Sequence, residues 1–223
     1  MEFFIDTASI EEIKTAQAWG ILDGVTTNPT HVAKEGREHK SLIQEICALV
    51  PGPVSVETTV PDAEGMIGEG ETFATWAPNV VVKVPVTPEG IKAARVLRGK
   101  GIPVNVTLVF SLAQAIIAGK VGATYASPFV GRLDDNGTDG MDLVRDICAA
   151  YSHYPFTTKV LAASLRHPVH VIQSALAGCH VATMPFKVME QLFNHPMTDL
   201  GLEKFLADVR KLQTALDAKR TRV

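Results

Sequence analysis

The sequence predicts an α/β protein that forms a single closed (β/α)8 barrel of the TIM type, followed by an extra C-terminal helix. Three observations support this prediction. Short apolar runs alternate with segments of helical periodicity along the whole chain. Eight β–α units follow one another without a proline- or serine-rich linker, and the 223 residues suffice for one barrel. We therefore expect one domain over residues 1–223. An open doubly wound sheet is the alternative, but eight near-equal units favour closure.

Local signals mark the boundaries of the individual elements. Ser9 and Thr87 are suited to cap helix N-termini, and Pro88 suits a first helical turn. Gly20 and Gly99 lie where helices are expected to end. The apolar runs predict strands near residues 2–7, 23–27, 54–59, 80–86, 103–109, 124–130, 159–164 and 180–184.

Composition argues against several classes of function. The net charge of −3 does not favour nucleic acid or an anionic membrane as the main partner. No apolar run approaches the ~18 residues of a membrane span, and the start MEFFIDTASIEE lacks the basic region of a secretory signal. Cys47, Cys148 and Cys179 are widely spaced, odd in number and without zinc-ligand spacing. They predict reduced thiols in a cytoplasmic protein.

One lysine lies in the middle of an apolar strand, in the segment VVVKVPVTPEG (80–90). Four valines and a proline surround Lys83, so the strand is predicted to be buried on both faces. Removing an ammonium group from water costs several kcal/mol, and lysine is rarely buried without a partner. Lys83 is therefore expected to have a partner or a chemical role.

Strand alternation predicts where that partner lies. Because successive side chains point to opposite faces, Val82 and Val84 are expected to meet the helices while Lys83 points into the barrel. The same rule places Leu108 outside. Polar residues collect on the inner face near the C-terminal ends of seven strands, where barrel enzymes place their active sites. The residues predicted to face inward are Asp6, Asn28, Ser55, Glu57, Thr59, Asn105, Thr107, Ser127, Phe129, Ala162, Ser164 and Arg166.

A buried lysine near a carboxylate and a hydroxyl is suited to amine catalysis. Desolvation favours the neutral amine, which attacks a ketone to give a Schiff base. The Schiff base is an electron sink for making or breaking an adjacent carbon–carbon bond. Glu57 and Thr107 could move the protons, directly or through one held water. The alternative is structural: Lys83 and Glu57 form an ion pair without chemistry.

Several other polar residues admit both structural and functional interpretations. Asp6 and Asn28 could cap loops or contact a substrate. Arg132, Ser164 and Arg166 could be solvated surface residues. Three such groups at one rim favour a phosphate site instead, because arginine binds phosphate through paired hydrogen bonds.

Two further patterns receive structural interpretations. His167 and His170 have a spacing found in some metal sites, but Pro168 lies between them and no carboxylate completes a set. They predict an ordinary helix start, and no metal site is expected. The segment GMIGEGE (65–71) loosely resembles a glycine-rich phosphate loop, but acidic residues crowd it and no strand precedes it. It predicts a turn or an interruption of a helix.

Five segments, in this order and spacing, resemble the motifs of the transaldolase family. They match the short bacterial-type members, which include the related fructose-6-phosphate aldolases, and the resemblance covers nearly the whole chain. The segments are GVTTNPT (24–30), VVVKVPVTPEG (80–90), VNVTLVFSLAQA (104–115), SPFVGRLDD (127–135) and KVLAASLR (159–166).

The resemblance implies a role for each candidate residue. Lys83 resembles the Schiff-base lysine, and Glu57 and Thr107 resemble the pair that holds the catalytic water, which Phe129 borders. Asp6 resembles a residue that lines the sugar hydroxyls and assists proton transfer. The other sugar-lining residues would be Asn28, Asn105 and Ser127, and the phosphate-binding group would be Arg132, Ser164 and Arg166.

The activity implied is transfer of a dihydroxyacetone unit from a phosphorylated ketose to an aldose phosphate, without a metal or organic cofactor. The alternatives are an aldolase that releases free dihydroxyacetone and a non-catalytic barrel that binds sugar phosphates. Glu57 and Phe129 favour the transferase, because the aldolase branch carries glutamine and tyrosine at these positions. One departure is His31, where the family usually carries an aliphatic residue. We interpret it as altered packing at a helix start.

The final segment predicts how subunits assemble. Residues 201–219 space apolar side chains along one helical face, and in the simplest interpretation this helix seals its own barrel. The resemblance implies instead a homodecamer of two pentameric rings, in which the helix reaches a neighbouring subunit. The apolar residues are Leu202, Phe205, Leu206, Val209, Leu212 and Leu216.

Overall fold

A computed structural model describes residues 1–220, with side-chain surroundings described to residue 217. Eight parallel strands close into a barrel in which each strand pairs with the next and β8 pairs with β1. The predicted (β/α)8 barrel is confirmed, and each strand lies within its predicted range. The strands are β1 (Glu2–Asp6), β2 (Gly24–Thr26), β3 (Val54–Glu57), β4 (Val80–Pro85), β5 (Val104–Val109), β6 (Tyr125–Pro128), β7 (Lys159–Ala162) and β8 (Val181–Met184).

Helices follow the strands and begin at the predicted caps. The Ser9 hydroxyl accepts a hydrogen bond from Glu12 N at the start of α1, and the Thr87 hydroxyl accepts one from Gly90 N at the start of α5. Gly20 ends the first helix in a left-handed conformation. The helices are α1 (Ile10–Ala18), α2 (Pro29–Glu35), α3 (His39–Leu49), α4 (Ala63–Ala74), α5 (Pro88–Gly99), α6 (Leu112–Lys120), α7 (Val130–Asp134), α8 (Gly140–Ser152), α9 (Pro168–Leu176), α10 (Phe186–Gln191) and α11 (Pro196–Arg220).

Of two predictions about glycines, one is wrong and one is confirmed. Residues 65–71 lie inside α4 without an interruption. Glycine serves close packing there, because a Cβ at Gly70 would lie 2.9 Å from a methyl carbon of Leu97 on α5. As predicted, α5 ends at Gly99, and the left-handed residue that follows it is Gly101.

The core of the barrel has two parts. Between strands and helices lie side chains such as Val82 and Val106, which are fully buried, as the alternation predicts. Each such side chain contributes about 1.5–3 kcal/mol through burial. The second part lies within the barrel and carries Tyr125, whose pKa is raised to about 12 by burial. This inner cluster consists of Phe4, Val81, Tyr125, Leu161, Ala163 and Val181, with Phe129 packed against it.

The chain forms two compact units, the first over Met1–Met189 and the second from Glu190 onward. The second unit contains α11, which begins earlier than the predicted 201–219. The six apolar side chains of its predicted face are each 49–68% exposed. Contact between this helix and a neighbouring subunit stays a prediction. Among residues 1–220, no helix combines the length and the apolar character that crossing a bilayer requires.

A matched pair of glycines in α5 tests how tightly this helix packs behind β4. A Cβ at Gly90 would lie 1.9 Å from the carbonyl oxygen of Pro85, whereas one at Gly99 meets nothing within 4 Å. Because a backbone atom cannot give way cheaply, Gly90→Ala is expected to lower the free energy of unfolding by about 3 kcal/mol. Gly99→Ala should leave it unchanged or raise it by up to ~1 kcal/mol. Denaturant unfolding measures both, and equal stabilities would contradict the close approach.

Candidate active site

The Lys83 side chain lies at the centre of the polar set at the C-terminal end of the barrel. Neighbouring strands β3 and β4 pair Glu57 directly with Lys83. Lys83 Nζ lies 3.0 Å from Glu57 Oε2 and donates to the carbonyl oxygen of Thr27 over 3.4 Å. Lys83 is only 6% exposed. The buried Lys83 side chain thus has one carboxylate and one carbonyl as partners. The expectation that a lysine in this apolar strand has a partner is confirmed.

A chain of hydrogen bonds crosses the barrel beside Lys83. Ser127 Oγ donates to Asn105 Oδ1 over 2.7 Å, and Asn105 Nδ2 donates to Ser55 Oγ over 3.3 Å. These bonds fix the Asn105 amide. Thr107 is fully buried, and its hydroxyl has no hydrogen-bond partner among the described residues. That hydroxyl is free to bind a water or a substrate oxygen.

The Asp6 carboxylate is held on both oxygens. Thr26 Oγ1 donates to Asp6 Oδ1 over 2.8 Å, and His31 Nε2 lies 3.5 Å from Asp6 Oδ2. Thr26 has a single proton to give, so the hydroxyl of Thr183, 2.7 Å away, donates to Thr26. Burial raises the pKa of Asp6, but His31, Lys83 and Thr26 together outweigh it and hold that pKa below its ordinary value. Asp6 is therefore an ionised carboxylate near neutral pH.

Two cavities open toward these groups and meet at Lys83. The inner one has a volume of about 110 Å³ and the outer one about 410 Å³. Four residues border both: Asn28, Lys83, Phe129 and Arg132. Besides these, the inner cavity is lined by Asp6, Thr26, Asn105, Thr107, Ser127, Leu161, Ala163, Ser164 and Thr183. The outer cavity adds Pro29, Thr30, His31, Glu57 and Leu108.

Two of the three residues predicted to bind phosphate line the inner cavity, and the third lies beside them. Arg132 and Ser164 line the inner cavity, and the guanidinium of Arg132 lies 5.1 Å from the centre of the Phe129 ring. Arg166 is exposed and pairs with Asp135 at 2.7 Å rather than lining the cavity. Its side chain crosses Gly131, where a Cβ would lie 2.6 Å from Arg166 Nε. It is therefore adjacent to the other two.

His170 contacts the backbone of Arg166 and the side chain of Asp134, next to the residues predicted to bind phosphate. Its Nδ1 atom accepts a hydrogen bond from Arg166 N, so its proton lies on Nε2, which is 3.1 Å from Asp134 Oδ2. Burial and the neighbouring His167 lower the pKa of His170. As predicted, α9 begins at Pro168, directly after His167. No group of three or more His, Cys, Asp or Glu residues within the described chain is arranged to hold a metal ion.

Asn28 combines the two interpretations that the sequence left open. Its Oδ1 atom accepts from His31 N and caps α2, while the residue also lines both cavities.

The cysteines lie largely in the core: Cys47 and Cys179 are buried, and Cys148 is half-buried. Burial raises the pKa of Cys47 to about 11, so this thiol is not ionised near neutral pH.

Strand alternation fails at three places. In β5 the register to β6 shifts between Val106 and Val109, and Leu108 adopts a left-handed conformation with φ of 59°. Leu108 therefore lies on the wall of the outer cavity and not against the helices. The strand β3 ends at Glu57, so Thr59 is exposed and bonds to Glu69 instead of facing inward.

In β7 the predicted phase is wrong by one residue. Leu161 and Ala163 face the inner cavity, whereas Ala162 does not line it. Ser164 still reaches the cavity because its φ of 58° turns the chain.

The sequence prediction also missed Thr26 and Thr183, which line the inner cavity. A signal for Thr26 was present, since it lies two residues before Asn28 and therefore in phase with it, but the pairing with Thr183 appears only when β8 closes against β1.

Fold and site together define a class: a (β/α)8 barrel with a buried lysine–carboxylate pair at the C-terminal end of its strands. The family described as Transaldolase/Fructose-6-phosphate aldolase matches residues 3–222. The chain belongs to this family of enzymes, as the five motifs predicted.

Curated relatives agree along nearly their full length. A protein of Aquifex aeolicus named probable transaldolase is 59% identical over 95% of this chain and 98% of its own. A probable transaldolase of Herpetosiphon aurantiacus is 55% identical over 96% and 97%. Among solved structures, thiamine phosphate pyrophosphorylase from Pyrococcus furiosus superposes with a TM-score of 0.60 over 86% of this chain and 93% of its own. At 15% identity that likeness concerns the fold alone.

Proposed function

We propose that the protein is a transaldolase of the non-oxidative pentose phosphate pathway. It would transfer a dihydroxyacetone unit from sedoheptulose 7-phosphate to glyceraldehyde 3-phosphate, giving erythrose 4-phosphate and fructose 6-phosphate. The observation that carries this proposal is the placement of Lys83: buried, 3.0 Å from Glu57, and on the border between two cavities. Such a lysine can hold the dihydroxyacetone unit where the cavities meet while the first aldose phosphate leaves and the acceptor aldehyde enters.

The first half of the reaction forms the Schiff base. Lys83 Nζ gives a proton to Glu57, and the neutral amine attacks the ketose C2 carbonyl. Glu57 and the free hydroxyl of Thr107 hold the water that carries protons as the carbinolamine loses water to give the iminium. The amides of Asn28 and Asn105 and the hydroxyl of Ser127 face the sugar hydroxyls from the cavity wall.

The second half breaks and remakes a carbon–carbon bond. Asp6 takes the proton of the C4 hydroxyl, the C3–C4 bond breaks, and its electron pair passes into the iminium to give an enamine. The aldose phosphate leaves, and the enamine carbon attacks the acceptor aldehyde. Asp6 returns its proton to the new alkoxide. Hydrolysis of the imine then releases the product and regenerates Lys83. Arg132 and Ser164, with Arg166 beside them, would bind the phosphate.

The overall reaction is tested by mixing the two substrates and following the four sugar phosphates by NMR. Erythrose 4-phosphate and fructose 6-phosphate should appear in equal amounts. Given fructose 6-phosphate alone, the protein should release little dihydroxyacetone, and erythrose 4-phosphate should start turnover. If fructose 6-phosphate is split as fast without the acceptor as with it, the transferase assignment falls and the lyase takes its place. If neither reaction occurs, the protein is a non-catalytic binding barrel.

We further propose that the protein assembles as a homodecamer of two pentameric rings, with α11 contacting a neighbour. The exposed apolar face of this helix supports contact with another copy of the chain. Sedimentation should show a particle of ten subunits at micromolar concentration, and a chain truncated before Leu202 should sediment as a smaller species. A full-length monomer would contradict the assembly, and a truncated decamer would contradict the role of the helix.

A further inference from the structure

His31 lies beside the candidate site on α2 and takes no part in the steps proposed above. Its Nε2 atom is 3.5 Å from Asp6 Oδ2, and the two side chains are 24% and 25% exposed. We propose that His31 is a positioning residue, which keeps the Asp6 carboxylate ionised and aimed at the reacting sugar. The proposal rests on the proposed function, because that function assigns the proton transfer to Asp6.

The local geometry holds both partners in place. The first turn of α2 is fixed by Asn28, whose Oδ1 atom accepts from His31 N over 3.0 Å. This bond sets the position of the His31 backbone relative to the end of β2. From the other side, Thr26 donates to Asp6 Oδ1 over 2.8 Å. The carboxylate therefore has a separate partner on each oxygen, so its plane is restrained while it faces the inner cavity.

The charged groups around His31 are of both signs, and Asp6 is the carboxylate that lies 3.5 Å from its Nε2 atom. His31 borders the outer cavity and a third cavity of about 270 Å³, so solvent reaches the ring. The ionisable groups that line these two cavities with it come from seven helices and strands. They are Asp6 of β1, Glu12 of α1, Lys34 and Glu35 of α2, Glu57 of β3, Lys83 of β4, Arg132 of α7 and Lys187 of α10.

The effect of His31 on Asp6 has a definite sign. Burial raises the pKa of Asp6, and the contact with His31 is the largest of the influences that lower it, ahead of Lys83 and Thr26. Removing the ring should therefore raise the pKa of Asp6, so that the carboxylate becomes protonated at higher pH. Because a protonated Asp6 cannot accept the C4 hydroxyl proton, the acid limb of activity should move to higher pH as well.

The test compares two variants. His31→Leu removes the ring nitrogens and leaves an aliphatic side chain, whereas His31→Gln keeps an N–H donor near the position of Nε2. The pH profile of kcat is measured for the transfer from fructose 6-phosphate to erythrose 4-phosphate. We expect kcat of His31→Leu to fall about fivefold on the acid side and to approach that of the unmodified protein at alkaline pH. His31→Gln should lie closer to the unmodified protein. His153→Leu, at an exposed position that follows α8, is the control and should leave the profile unchanged.

A second measurement needs no turnover. The carboxyl carbon of Asp6, labelled with 13C, is titrated by NMR in the unmodified protein and in His31→Leu, where it should titrate at higher pH. Identical titrations, or a fall in kcat by the same factor at every pH, would overturn the positioning role. If the unmodified protein shows neither transfer nor cleavage, the proposed function falls instead. The titration of Asp6 still decides in that case whether His31 controls the carboxylate.

Discussion

Lys83→Met is expected to abolish turnover, with a fall in kcat of about 10⁵-fold, which corresponds to about 7 kcal/mol of barrier. Methionine has a similar length and suits a site in which Lys83 is only 6% exposed, but it has no amine to form the imine. The substitution also leaves Glu57 without its cationic partner, so stability should fall by about 3 kcal/mol. Steady-state kinetics and denaturant unfolding measure the two effects separately.

A double variant separates loss of the amine from loss of the fold. Lys83→Met with Glu57→Gln removes both charges of the pair, so it should recover stability while staying inactive. Lys92→Met is the matched control: this lysine lies on α5 with a side chain 66% exposed, and its pair with Glu89 is solvated. It should retain full activity.

The imine itself can be trapped. Borohydride added with fructose 6-phosphate should increase the mass of the unmodified protein by a reduced sugar fragment, located on the peptide that contains Lys83. Lys83→Met should gain no such mass. An adduct of equal yield in Lys83→Met would place the chemistry on another lysine and would falsify the mechanism.

Phe129→Tyr is expected to raise the release of free dihydroxyacetone from fructose 6-phosphate by about 10-fold, or about 1.4 kcal/mol of barrier. Release requires protonation of the enamine carbon, followed by hydrolysis of the imine. Phe129 borders both cavities beside Lys83 but has no hydrogen-bonding group, so in the proposed mechanism the enamine would wait for an aldehyde. A phenol at this position would supply a proton donor for the enamine carbon and so promote release of dihydroxyacetone.

The neighbouring ring gives the control for this substitution. Phe110 contacts Phe129 with ring centres 5.8 Å apart, is 36% exposed, and lines neither of these two cavities. Phe110→Tyr adds the same hydroxyl outside the site and should leave release unchanged. Release is measured as dihydroxyacetone formed without acceptor, and transfer as turnover with erythrose 4-phosphate. If Phe129→Tyr changes neither rate, the missing donor at residue 129 does not hold the enamine.

The sequence alone determined the fold and the centre of the candidate site. Strand and helix periods differ, so eight alternations of the two could be counted, and capping residues such as Ser9 and Thr87 placed the helix starts. Within regular strands the two-residue period placed Asp6, Lys83 and Ser127 toward the cavity. Lys83 was recognisable as a candidate because burying an ammonium group in an apolar strand costs several kcal/mol unless it has a partner or a chemical role.

The tertiary structure alone decided where the strands depart from that period and which distant residues meet. Leu108 has positive φ and turns to a face that alternation does not predict. Ser164 also has positive φ, which brings it to the inner cavity although Leu161 and Ala163 set the inward phase there. The contact of Thr26 with Thr183 joins residues 157 positions apart and exists because the barrel closes. His31 reaches Asp6 because the Asn28 cap fixes the start of α2 beside β1. Periodicity describes each segment by itself, whereas these contacts depend on how segments far apart in the chain are brought together.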